Sequence, residues 1–189
     1  MSEKDRQDEH LVEVILNDHR ALERSFQDYE NGDHSDEKRR DLVDHILTEL
    51  VRHSVAEEQY MYPAARRRVP GGDEIVEHEI HEHATAESVM KEVERLDPQK
   101  PDFDRRTREL IADIRHHVRD EEQDLLPRMR QACSDEELRE LGRQVFAAKD
   151  SAPTRPHPAT PDTPPANTIV VTGAGMIDRM RDALSGRKH

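Results

Sequence analysis

Apolar residues recur every three or four positions along most of the first 150 residues, the period of a helix with one buried face. Ile15, Leu22 and Phe26 form one such stripe, and Ile46, Leu50 and Met61 a second. Val76, Ala86, Met90 and Val93 form a third, and Leu110, Ile114 and Leu125 a fourth. The spacing predicts long helices from Asp5 to Tyr29, from Ser35 to Tyr62 or a little beyond, from Asp73 to Leu96, and from Asp102 to Gln131. Turn chemistry separates them at Asn31-Gly32-Asp33, Val69-Pro70-Gly71-Gly72 and Asp97-Pro98-Gln99-Lys100-Pro101. Ser35, followed by Asp36 and Glu37, reads as an N-cap, and Ser134 with Glu137 as a capping box for a short fifth helix over 135–149. Short connections between four long helices predict an all-α chain, an antiparallel up-down-up-down four-helix bundle.

The pattern stops after Asp150. The stretch SAPTRPHPATPDTPPANT holds six prolines in eighteen residues and reads as an extended linker. The terminal piece regains apolar spacing at Met176, Ile177, Met180 and Leu184, enough for a short amphipathic helix or a frayed tail. The expected organisation is therefore a bundle over 1–132, a capping helix over 133–150, a Pro-rich linker over 151–168 and an amphipathic tail over 169–189. Asp178 and Asp182 dilute the basic character of Arg179, Arg181, Arg187 and Lys188, so the tail is expected to dock on the chain itself or on a protein partner rather than on a membrane.

Composition narrows the chemistry. A formal net charge of −13 argues against a nucleic-acid partner, since phosphate binding needs clustered Lys and Arg. The one cysteine, Cys133, excludes an internal disulfide and fits a reducing compartment, where it is an ordinary buried or half-buried thiol. The polar start MSEKDRQDEH is no signal peptide, and no apolar run approaches the roughly 20 residues of a membrane span, so a cytoplasmic setting is expected. No nucleophile-base dyad, phosphate-binding Gly loop or zinc-type cysteine pair is present, and no catalytic residue is assigned. Twelve histidines are the unusual feature.

Six polar residues lie on the apolar stripes, and they repeat. A shift of 64 residues carries RHSVAEEQYMYP onto HHVRDEEQDLLP, with His53 on His117, Glu57 on Glu121, Glu58 on Glu122, Gln59 on Gln123 and Pro63 on Pro127. The same shift carries His19 onto His83, Asp18 onto Glu82 and Leu16 onto Ile80. Helical spacing puts His19, His53, Glu57, His83, His117 and Glu121 on the buried faces. Unpartnered buried carboxylates are costly, but four histidines and two glutamates meeting at one level satisfy one another around metal. The set suits two ions, with iron favoured and manganese or zinc as substitutes. Glu58 and Glu122 divide between supporting this site and pairing at the surface. Tyr60 and Tyr62 read as core packing ahead of donation to a metal-bound oxygen species. His116 and Asp120 lie off the stripe and read as exposed, His78 and His81 as solvent-facing or supporting, and His10, His34, His157 and His189 as end or loop residues.

A lone His, a His-x-x-x-Glu, a second lone His and a second His-x-x-x-Glu, ending in YP and LP, resemble the hemerythrin-like cation-binding (HHE) domain over residues 8–130. The resemblance implies two non-haem irons with an oxo or hydroxo bridge, held by His19, His53, Glu57, His83, His117 and Glu121, with Glu57 and Glu121 bridging. It departs from the oxygen-carrying members at Glu79, where they have a further histidine four residues before His83. That change favours chemistry with O2, H2O2 or NO over simple reversible oxygen carriage, including a peroxide- or NO-detoxifying activity. Two alternatives stand beside it: an oxygen, redox or NO sensor whose C-terminal helix docks on a partner, and an iron-storage or buffering protein.

Overall fold

The computed structural model describes residues 10–152; the expected tail and nearly all of the expected linker lie outside them. The described residues form helices and no strand. They are α1 (Leu11–Asn31), α2 (Asp36–Ala56), α3 (Tyr62–Arg68), α4 (Gly72–Arg95), α5 (Pro101–Asp120), α6 (Leu126–Ala132) and α7 (Asp135–Ser151). α1 begins after His10, which is extended and accepts the Val12 N–H on its Nδ1 at 3.3 Å. The start expected at Asp5 lies outside the described residues. Ser35 caps α2 through the Lys38 N–H, with Asp36 and Glu37 at the positive end of the helix dipole. The capping box of Ser134 and Glu137 starts α7, which runs two residues past its expected end.

Two irregular turns went unforeseen. Glu57–Met61 joins α2 to α3 and Glu121–Leu125 joins α5 to α6, each as a π turn inside a continuous helical rod. Their positions differ by the same 64 residues as the sequence repeat. Proline supplies the cause. Pro63 and Pro127 have no N–H to give, and their rings crowd the carbonyls of Gln59 and Gln123. The turn before each proline widens, and the N–H groups of Tyr62 and Leu126 bond back to the carbonyls of Glu57 and Glu121.

The turn from α3 to α4 needs both its glycines. Gly71 has φ of 73°, the left-handed region, and a Cβ on Gly72 would stand 2.3 Å from the Ala65 carbonyl oxygen.

α1 packs on α2 and α5, α2 on α4, and α4 on α5, while α7 lies over α1, α2 and the first π turn. Every residue of the four predicted stripes is buried. The core divides into two apolar clusters, one around Leu11, Ile15, Met61 and Leu126, the other around Phe26, Ile46, Met90 and Phe103. Between them lies a polar layer.

Candidate metal centre

Each long helix delivers its polar residue between the two clusters. On α1, His19 follows Ile15 of one cluster and precedes Leu22 of the other. His53 comes from the end of α2, His83 from α4 and His117 from the end of α5. Glu57 and Glu121 open the two π turns. All six are buried, the two glutamates completely.

The facing atoms are close. His53 Nε2 lies 3.2 Å from Glu57 Oε1, and His19 Nε2 lies 3.5 Å from Glu121 Oε2. His83 Nε2 lies 3.5 Å from Glu57 Oε2 and 3.1 Å from His117 Nε2. Glu57 thus turns one oxygen to each pair of histidines. Ligand-type atoms of His19, His53, Glu57 and Glu121 lie within 4.8 Å of one another, as do those of Glu57, His83 and His117.

The outer nitrogens are tied down. Glu122 Oε1 lies 2.9 Å from His19 Nδ1, Glu58 Oε1 2.9 Å from His83 Nδ1, and Glu82 Oε2 2.9 Å from His117 Nδ1. A carboxylate on Nδ1 leaves Nε2 free to face inward. Asp18, the repeat partner of Glu82, stands further off, its Oδ2 3.7 Å from His53 Nδ1, while its Oδ1 receives Lys149 of α7 at 2.6 Å. Two more groups break the symmetry. Glu79, buried like the ligand candidates, puts Oε2 3.0 Å from His117 Nδ1. The Tyr62 hydroxyl donates to Glu121 Oε1 at 3.0 Å and sits 3.1 Å from His83 Nε2. Core packing accounts for the Tyr62 ring but not for this hydroxyl.

The electrostatics fit a cation. His19 Nε2, His53 Nε2, both oxygens of Glu57 and Glu121 Oε2 are buried without a hydrogen-bond partner. Each such atom costs about 1–3 kcal/mol where nothing satisfies it. Burial holds His53 down to about 4, and burial with the neighbouring charge of His117 holds His83 to about 3, so both are neutral at neutral pH, the ligating form. Burial works against a charge on His117 too, but Glu79 and Glu82 outweigh it and take the ring to about 10, so this imidazole is protonated at neutral pH and would have to give up a proton to bind metal. Burial, then the adjacent Glu121 carboxylate, pushes Glu57 well above the usual carboxylate range. A cation between the carboxylates removes that repulsion.

The remaining histidines stay out. His116 is exposed beside Asp120, His45, His78 and His81 are exposed, His10 caps α1, and His34 faces the Asp28 carbonyl oxygen. His157 and His189 lie outside the described residues. Cys133 is half-buried, and burial pushes its thiol up.

An all-helical layer of inward histidines and glutamates defines a metal-binding helical domain. The model of the hemerythrin HHE cation binding domain matches residues 10–129, and the chain belongs to that family. It is similar to a hemerythrin-like protein of Schizosaccharomyces pombe, 28% identical over 175 residues, which cover 92% of this chain and 86% of the relative. A DNA nickase of Nostoc sp. is 26% identical over 151 residues, 80% of this chain but 42% of that protein, so the chain spans less than half of it. No solved structure gives a significant match. No helix among the described residues is long and apolar enough to cross a membrane.

Proposed function

We propose that this chain is an antiparallel four-helix bundle that holds two non-haem metal ions, iron first, and binds or turns over O2, H2O2 or NO. His19, His53, Glu57, His83, His117 and Glu121 would hold the ions. What supports this is the set of buried inward atoms of His19, His53, Glu57 and Glu121 without a hydrogen-bond partner, in one layer with His19, His83 and His117, whose outer nitrogens face carboxylates. Ions held there would supply electrons and exchangeable positions for a small ligand.

The residues of the chain set the conditions. Two apolar clusters close the layer above and below and keep bulk water from it. Tyr62 holds one oxygen of Glu121 and so fixes that carboxylate's orientation. Glu58, Glu82 and Glu122 hold three imidazoles with Nε2 inward. The acidic net charge sets the reading against a nucleic-acid partner, and supercoiled plasmid incubated with the protein is expected to stay intact.

The test is metal content per chain and the optical spectrum of protein made in iron-replete cells, then additions of O2, H2O2 and NO. Two irons per chain with a ligand-sensitive near-ultraviolet band are expected. Well under one metal per chain in a folded protein would sink the reading.

A second reading, sensing, has one observation in its favour. Lys149, near the end of α7 where the chain enters the Pro-rich stretch, pairs with the carboxylate facing His53. It predicts that protease sensitivity beyond residue 150 differs between oxidised, reduced and metal-free protein. Equal digestion in all three states removes it.

A further inference from the structure

The groove between α1 and α5 holds a cavity of about 610 Å³ beside the metal layer. Arg20, Arg24, Arg115 and Arg119 line it, with Phe26 and Val118 as apolar wall. Four guanidiniums on one opening reverse the sign of a chain whose formal net charge is −13. Two carboxylates line it as well, but Glu23 is held by Arg115, and Glu122 faces His19 Nδ1. Arg115 is committed to Glu23 and Glu30, each at 2.8 Å. Arg20 meets only the neutral amide oxygen of Asn17, so its charge stays uncompensated. Arg24 and Arg119 have no ion-pair or hydrogen-bond partner among the described residues. Arg66, which pairs with Asp73 and Glu77, and Arg105, which pairs with Asp102 and Glu109, are compensated; Arg67 and Arg95 are also unpaired among the described residues, but neither lines this cavity.

We propose that this cavity binds a small organic anion, a carboxylate carried on an apolar body. Arg24 and Arg119 take the head, and Phe26 and Val118 the body. The guanidinium fork matches a carboxylate with two parallel bonds. A concave site of this size, with apolar walls and a few convergent charges, is what small-molecule recognition uses. A cleft lined by an excess of one charge also concentrates the opposite ion. A bare oxyanion would leave the apolar wall unused, and an uncharged apolar molecule would leave the unpaired guanidiniums unused. Binding does not require the metal, although Glu122 puts the occupant next to His19.

The test is calorimetric titration of the full chain with octanoate, acetate and octylamine, with metal content measured on the same samples. Octanoate is expected to bind at least about tenfold more tightly than acetate, and octylamine not to bind. Arg24 and Arg119 are exposed, so the double variant Arg24→Glu/Arg119→Glu is expected to fold, to keep its metal and to lose octanoate affinity by about tenfold or more. Octanoate binding within twofold of the parent in that variant, or octylamine binding as well as octanoate, overturns the proposal. So does tighter, arginine-dependent binding of a duplex oligonucleotide, which would make the groove a phosphate-backbone site. None of these outcomes touches the metal reading, because metal content is read separately.

Discussion

Three glutamates outside the inner six govern how the histidines point. Glu58, Glu82 and Glu122 each place an oxygen 2.9 Å from an Nδ1, and Glu58 and Glu122 reach across from the rods that carry Glu57 and Glu121. Losing such a partner typically costs a metal site 10–100-fold in affinity. Glu58→Gln and Glu122→Gln are therefore expected to weaken metal binding by about that factor in chelator competition, while the exposed control Glu77→Gln changes nothing. Unchanged affinity in both variants would reduce these contacts to surface pairing. The repeat made all six inner residues legible in the sequence, because identity at a fixed offset marks positions under the same demand. It could not show the direction of Glu58 and Glu122, which sit one residue off the stripe and meet a neighbouring helix rather than their own. It was silent on Tyr62 and Glu79 as a pair of outliers: they fall opposite Leu126 and Ile15, so their places in the layer appear only once the helices pack.

At the scale of elements, helix existence followed from apolar spacing and capping, and the helix interiors did not. A period of three to four residues describes an α turn and a π turn equally well, so the two π turns were hidden. The signal was present in Pro63 and Pro127, each six residues after a buried glutamate of the polar layer. Pro63→Ala restores an N–H that can bond the Gln59 carbonyl and close the turn to α geometry. Helix content by circular dichroism is expected to hold, while metal affinity falls about tenfold as Glu57 swings from its place between the histidines. Unaltered affinity would mean that the wide turn is incidental to the site. α7 makes a different claim, since it lies beyond the matched residues 10–129 and yet puts Leu138 and Val145 into the first apolar cluster, both fully buried. Leu138→Ala is expected to cost about 2–5 kcal/mol in urea unfolding. A cost below about 1 kcal/mol would make α7 an accessory rather than part of the core.

For the whole molecule, the polar layer is an unusual expense, a full cross-section of buried imidazole and carboxylate dividing one apolar core into two. Without a cation, five inward atoms lack a hydrogen-bond partner and Glu57 is pushed toward its neutral form by burial and by Glu121. An ion that binds only the folded state stabilises it by about 2.7 kcal/mol at a free concentration a hundred times its Kd. For a domain of this size that corresponds to a rise in Tm of roughly 5–10 °C for each ion held, so that order is a lower bound for two. Calorimetry before and after dialysis against a strong chelator is therefore expected to show a fall of at least that order, restored by adding back the ion. If two ions are held there as proposed, losing one would return part of the repulsion between Glu57 and Glu121 and loosen the other. The fall should then come largely as a single step as chelator is titrated, with few chains holding one ion. A Tm that ignores the chelator would show that the layer satisfies itself with protons, as a buried polar network whose purpose is not metal.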